Sequence, residues 1–128
     1  MITEDYVSFE TAKLLKEKGF NEECLMRYVD EELMNIYDSD FPSPYELDNC
    51  DSEVIDAPTL QMAMKWLRKK HKLHIWVDYS SFDFNDKLPY LWNIRETKIE
   101  GTYWGGTYHK SYEGAAETAI KYCLENLI

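Results

Sequence analysis

In the C-terminal half of the chain, the spacing of apolar residues changes from helical to alternating and back to helical. Residues 59–71 place apolar side chains at the three- and four-residue steps of a helix. Residues 74–79, 90–97 and 102–109 have the alternation and residue types of strands, and residues 111–127 return to helical spacing. The pattern therefore predicts an α+β fold containing a three-stranded antiparallel meander with two helices, in the order α-β-β-β-α.

Alternation divides the first two of these strands into two faces. One face should be buried under the helices at 59–71 and 112–127, which we expect to pack side by side. Gly105 and Gly106 interrupt the third strand and predict either a β-bulge or a strand end. The residues expected on the buried face are Ile75, Val77, Tyr79, Tyr90, Trp92 and Ile94.

The opposite face carries a mixture of aromatic and polar residues: His74, Trp76, Asn93 and Arg95. An exposed surface of this kind could bind a partner protein. Alternatively, the N-terminal part of the chain covers it. We favour the second interpretation, because residues 20–37 must pack against some part of the fold.

The N-terminal region predicts one helix and a probable β-hairpin ahead of the meander. Ser8 can cap the helix and Gly19 can end it. Residues 24–37 favour a hairpin, with a short helix over 30–37 as the alternative. Residues 38–57 predict a loop, because Pro, Asp, Ser and Asn are frequent there. The whole chain, 1–128, is expected to form a single domain.

The predicted order of elements resembles the topology of double-stranded RNA-binding domains. The run Ser111–Ala116, continuing to Leu124, is similar to the final helix of that family. The resemblance covers about half the chain and implies a fold. The family holds phosphates with lysines clustered at the start of this helix, whereas here Lys110 is the basic residue and Glu113 follows it. The resemblance therefore does not imply RNA binding.

Two longer runs, 57–68 and 111–128, resemble a group of small uncharacterised proteins of gut bacteria and their phages and plasmids. This resemblance extends over most of the chain. It implies a mobile-element or bacterial-host context. It does not imply an activity or catalytic residues.

Charge is distributed unevenly along the chain. Residues 1–57 contain 16 acidic and four basic residues, a net charge of −12, whereas residues 58–128 have a net charge of +2. The acidic region would repel nucleic-acid phosphates, which argues against direct nucleic-acid binding. We expect a solvated acidic loop; the alternative is a nucleic-acid mimic that occupies a basic groove. The basic run Lys65–Lys72 should match the negative helix end and face the acidic segment. The candidate acidic face comprises Asp38, Asp40, Glu46, Asp48, Asp51, Glu53 and Asp56.

The three cysteines, Cys24, Cys50 and Cys123, are widely spaced and form no CxxC pair. Their odd number and spacing favour buried free thiols in a reducing compartment. The N-terminus has no basic region followed by an apolar stretch, and no run approaches the roughly 18 apolar residues of a membrane span. We therefore expect a cytoplasmic protein without membrane contact.

Known catalytic and ligand-binding motifs are missing from the sequence. His71 and His74 are separated by a helix-to-strand transition, and neither HExxH, GxSxG nor a phosphate-binding glycine loop occurs. We therefore assign no catalytic, metal-binding or cofactor-binding residue, and we do not favour an enzyme. The preferred hypothesis is a non-enzymatic module that binds another protein.

An alternative function depends on the aromatic segment 80–92. Phe82 and Phe84, together with Tyr90 and Trp92, could line an apolar pocket. Such a pocket would indicate a small-molecule binder or an enzyme. Phe82 and Phe84 could equally contribute to a partner-binding surface.

Overall fold

The structure is a computed structural model that describes residues 1–49, 51–80 and 87–128. These residues form a mixed α+β fold with four α-helices and two small antiparallel sheets of three strands each. In chain order the elements are α1 (Phe9–Glu17), β1 (Met26–Val29), β2 (Glu32–Asn35), α2 (Pro44–Asp48), β3 (Val54–Asp56), α3 (Leu60–His71), β4 (Leu73–Tyr79), β5 (Tyr90–Glu96), β6 (Tyr103–His109), α4 (Tyr112–Tyr122) and a π-helical turn (Cys123–Leu127).

The predicted helix starts are confirmed by their caps. The side chains of Ser8, Thr59 and Ser111 each accept a hydrogen bond from the backbone N–H three residues later. These bonds satisfy N–H groups that have no partner within the helix. Gly19 follows α1 with φ of +98°, a conformation that favours glycine.

The C-terminal sheet has the order β4-β5-β6 and confirms the predicted meander. Ile75 pairs with Ile94, and Val77 pairs with Trp92. Ile75, Trp92 and Ile94 are buried at 4%, 5% and 0% exposure, and α3 and α4 both pack on their face. The predicted burial of Tyr79 is wrong: it is the last residue of β4 and is 66% exposed.

Gly106 lies opposite the Trp92 indole, where a bulge interrupts β6. Between the pairs Leu91–Tyr108 and Asn93–Gly105, one residue of β5 faces two residues of β6, which confirms the predicted bulge. A Cβ on Gly106 would lie 2.6 Å from Trp92 Cε3 and closer still to Cδ2 and Cε2. Glycine therefore allows the indole to lie against the backbone of β6.

The N-terminal sheet has the order β2-β1-β3. Its hairpin confirms the strand interpretation of residues 24–37 over the helical one; Asp30 and Glu31 form the turn with φ of +49° and +72°. The loop predicted over 38–57 is only partly correct. Helix α2 lies within it, and β3 pairs antiparallel with β1.

Helix α1 docks on α4 through its N-terminus. Glu117 accepts hydrogen bonds from the Ser8 backbone N–H at 3.0 Å and from the Thr11 hydroxyl at 2.6 Å. Lys121 pairs with Glu10 at 2.7 Å, which lowers the pKa of that carboxyl. The carboxylate of α4 thus lies at the positive end of the α1 dipole.

The N-terminal sheet packs on α1 and not on the outer face of the C-terminal sheet. The Tyr28 hydroxyl donates to the Val7 carbonyl at 2.7 Å, and its ring contacts Phe9 edge-on at 5.5 Å. Ile55 of β3 is 2% exposed and belongs to the same apolar core as Ile94. The expectation that the hairpin covers the outer face is therefore wrong.

Within the described residues, no helix has the length and apolarity required to cross a bilayer.

Candidate functional site

Within residues 1–49, 51–80 and 87–128, no element covers the outer face of the C-terminal sheet. Strand pairing aligns His74 with Arg95 and Tyr103, and Trp76 with Asn93 and Gly105. His74 and Arg95 are exposed, Trp76 is half-buried, and Tyr103 is 46% exposed. We refer to His74, Trp76, Asn93, Arg95 and Tyr103 as the open face. Four of these five residues were predicted from the sequence as a possible partner-binding surface.

Aromatic and cationic groups form a continuous row across the three strands of the open face. The His74 and Trp76 rings stack with centroids 5.8 Å apart and planes inclined by 27°. The Trp76 and Tyr103 centroids are 6.0 Å apart, and the Arg95 guanidinium carbon lies 5.4 Å from the Tyr103 centroid. Such contacts restrict side-chain motion before any partner binds, which lowers the entropic cost of association.

Asn93 lies beneath this row and fixes it. It is 2% exposed, although its position in the alternation points outward. Its Nδ2 donates to Asp78 Oδ2 at 3.0 Å and to the Leu91 carbonyl at 3.3 Å, and its Oδ1 accepts from the Tyr103 hydroxyl at 2.6 Å. Asn93 therefore positions Asp78 and Tyr103; it offers a partner almost no surface of its own.

Tyr103 is the member of the open face that was not predicted from the sequence. Once β6 is aligned with β5, Tyr103 pairs with Arg95 and must share its face. The alternation of β6 by itself gives a weaker signal, because Gly105, Gly106 and the bulge interrupt it. The register of the two strands was the missing information.

Phe82 and Phe84, the other candidate contact residues, lie outside the described residues. Their proposed neighbours, Tyr90 and Trp92, contact different rings. Trp92 is buried and its ring lies 5.2 Å from that of Tyr122, on the helix side of the sheet. Tyr90 instead contacts Tyr79 edge-on at 5.3 Å. Trp92 therefore belongs to the core.

The candidate acidic face is not uniformly free. Asp56 lies 3.1 Å from Arg27 and also accepts a hydrogen bond from the Cys24 backbone N–H at 3.3 Å. Glu53 lies 3.9 Å from Lys13. Glu46 accepts a hydrogen bond from the Ser43 hydroxyl, within the cap of α2. The remaining members, Asp38, Asp40, Asp48 and Asp51, are exposed.

The basic end of α3 follows the helix dipole. Lys72 has φ of +58° and its ammonium group donates to the Lys69 carbonyl at 3.4 Å. Lys65 and Lys69, with Glu22 and Glu23, border a shallow pocket of about 280 Å³ beside Trp66. This part of α3 therefore faces acids of the α1–β1 connection, which the sequence analysis did not predict.

Other candidate chemistry is sparse. Across residues 1–49, 51–80 and 87–128, no three His, Cys, Asp or Glu side chains lie close enough together to hold a metal ion. A groove of about 490 Å³ runs between α1 and β3, past Lys16, Phe20 and Asp56.

Two of the cysteines are buried thiols. Cys24 and Cys123 are 6% and 0% exposed. Burial raises the pKa of Cys24 to about 11, with help from the nearby Asp56 carboxylate, and raises that of Cys123 to about 12. A thiol with such a pKa is a poor nucleophile at neutral pH. Cys50 lies outside the described residues.

Comparison of the chain with protein-family models, curated proteins and solved structures found no match.

Proposed function

We propose that the chain is a non-enzymatic, cytoplasmic module of a mobile element or its bacterial host that binds another protein through the open face. The observation that carries the proposal is the exposed row of His74, Trp76, Tyr103 and Arg95 across three paired strands. The mobile-element context rests on the sequence resemblance of residues 57–68 and 111–128.

The composition and rigidity of the open face support this proposal. Trp, Tyr and Arg are the residue types enriched among the energetic hot spots of protein interfaces. Here they are held on a sheet whose other face is buried under α3 and α4. The buried Asn93 orders Tyr103 from below. A partner would therefore meet a preorganised surface.

A comparative capture experiment tests the proposal. The native chain and its Trp76→Ala/Arg95→Ala variant are used as baits in a crosslinked lysate of the bacterium that carries the gene, with quantitative mass spectrometry. The two substitutions leave the Asn93–Tyr103 hydrogen bond intact, and circular dichroism verifies the fold. We expect specific proteins to be recovered with the native chain and lost with the variant.

A matched control removes exposed aromatic groups from elsewhere. Tyr37 and Tyr45 are 81% and 75% exposed and lie outside the C-terminal sheet. The Tyr37→Ala/Tyr45→Ala variant should retain the proteins captured by the native chain. Equal capture by all three baits, or loss only with the tyrosine variant, would refute binding through the open face.

The nucleic-acid mimic is a weaker hypothesis. Mimicry requires free carboxylates at phosphate-like spacing on one face. Asp56 and Glu53 are already paired with Arg27 and Lys13 of the same chain. The open face therefore supports the protein-binding hypothesis more directly than the acidic residues support mimicry.

A further inference from the structure

We propose that the partner bound by the open face presents an acidic, extended peptide segment, with a carboxylate that meets Arg95 and an apolar side chain that meets Trp76. This inference rests on the proposed function and specifies its ligand. It is carried by the exposed Arg95 guanidinium, which forms no ion pair within the described residues of an otherwise acidic chain.

Arg95 is the main free cation of the open face. It is exposed, and within the described residues its contact is the Tyr103 ring and not a carboxylate. The ring leaves the guanidinium N–H groups available to a ligand. Arginine presents these donors in a planar fork that matches the two oxygens of a carboxylate.

Within the described residues, no acidic side chain forms an ion pair with Arg95. Asp78 lies opposite Leu91 of β5, away from Arg95, and accepts a hydrogen bond from Asn93 at 3.0 Å. Glu96 follows Arg95 on β5, so its side chain points to the opposite face, and it lies 3.7 Å from Lys98. Glu100 is exposed in the turn between β5 and β6. The Arg95 guanidinium therefore stays available to a ligand.

The apolar part of the ligand has a defined place. Trp76 is stacked on His74 on one side and lies 6.0 Å from Tyr103 on the other. The Tyr103 ring lies over Gly105, opposite Asn93, so the Trp76 and Tyr103 rings together present one aromatic surface. An apolar side chain two residues from the acidic one in an extended segment would reach this place, because alternate residues of a strand share a face.

A short peptide fits this surface better than a nucleic acid does. The chain has a net charge of −10, concentrated in residues 1–57. A nucleic acid carries a charge at every phosphate and would extend beyond the few cations of the open face. A peptide with one or two carboxylates can remain on the open face, and salt screens charges beyond about 8 Å at physiological ionic strength.

Selection from a displayed library of random 12-residue peptides tests the inference. We expect peptides selected by the native chain to be enriched in Asp or Glu next to apolar residues. Binding of a selected peptide, measured by fluorescence anisotropy, should weaken about tenfold or more in Arg95→Glu. Replacing its acids with Asn or Gln should have a comparable effect.

Lys110→Glu is the matched control, because it makes the same charge change at an exposed site beyond the end of β6. It should alter binding less than about twofold. A library selected on Arg95→Glu should lose its acidic preference. Equal weakening by Lys110→Glu and Arg95→Glu would show a nonspecific charge effect and overturn the inference.

The remaining outcomes identify other occupants. Tighter binding of an oligothymidine 12-mer than of any selected peptide would make the ligand a single-stranded nucleic acid. Concentration-dependent dimerisation in sedimentation, abolished by Arg95→Glu, would make it a second copy of the chain. Selection of neutral or basic peptides would overturn the acidic ligand. In that last case, protein capture that still depends on Trp76 would leave the proposed function intact.

Discussion

Replacing Gly106 with alanine should destabilise the fold, whereas replacing its neighbour Gly105 should not. A Cβ at Gly106 would lie within 2.6 Å of Trp92 Cε3, far inside the usual 3.5–4.0 Å carbon contact. The atoms nearest to a Cβ at Gly105 would belong to the Tyr103 side chain, with its hydroxyl oxygen at 3.3 Å. The two glycines are adjacent on one strand and differ in the face they occupy.

The Trp92 ring cannot move away from a Cβ at position 106 without losing contacts of its own. It is 5% exposed, contacts Tyr122, and donates from Nε1 to the Thr107 hydroxyl at 3.2 Å. Overpacking a well-filled core costs about 1–3 kcal/mol. For a chain of this size, 1 kcal/mol corresponds to about 3–6 °C in Tm. Gly106→Ala should therefore lower Tm by at least about 3 °C, and Gly105→Ala should change the free energy of unfolding by less than about 0.5 kcal/mol.

Thermal and urea unfolding followed by circular dichroism measure both variants. A double-mutant cycle with Trp92→Leu identifies the cause, because removing the indole should reduce the cost of Gly106→Ala. An equal Tm for the two glycine variants would refute the argument. So would an undiminished cost of Gly106→Ala in the Trp92→Leu background.

Further predictions concern the core, α1 and the buried thiols. Leu67→Asp and Ile120→Asp place a charge at fully buried sites and should prevent folding, whereas Trp76→Ala should lower Tm much less; similar losses would show that the open face is also core. Glu117→Gln should weaken the docking of α1 and cost about 1–2 kcal/mol in urea unfolding, and an unchanged midpoint would contradict this. Cys123 should resist iodoacetamide in the native protein by peptide mapping. Burial raises the pKa of Cys123 from 9.0 to about 12, so the thiol contributes fully to the free energy of unfolding below pH 9.0 and less as the pH rises from 9.0 towards 12. If the native chain loses no stability relative to Cys123→Ala over that pH range, the thiol is not buried as described.

Elements with local signals were predictable from the sequence. Helix α3 has a cap at Thr59, and strands β4 and β5 alternate cleanly between Ile75 and Ile94 on one side and His74 and Arg95 on the other. These signals depend on neighbours in sequence, so they do not require knowledge of the packing.

Elements that depend on distant partners were missed. Strand β3 has three residues, and its strand character comes from pairing with β1, where Ile55 lies opposite Tyr28. Helix α2 has a local signal, because Ser43 caps it and Pro44 takes its first position, but prolines among Asp, Ser and Asn residues are equally typical of a loop.

The open face was predicted in outline and not in detail. Alternation correctly placed His74, Trp76 and Arg95 outward. It could not show that Asn93 would be buried, because that burial depends on neighbouring side chains, including Tyr103 on the adjacent strand. It also could not show that the N-terminal sheet would pack on α1, because this depends on long-range contacts such as that of Tyr28 with Val7.

The opposed faces of β5 have a consequence for how relatives of this chain should diverge. Ile94 faces a closed core, whereas its neighbour Arg95 faces solvent and a proposed ligand. Substitution of Ile94 is limited by the packing of the core, which is the same in every host. Substitution of Arg95 is limited by the bound partner, which changes with the host. Homologues from different lineages should therefore agree at every second position of the strand and vary together with their partners at the positions between.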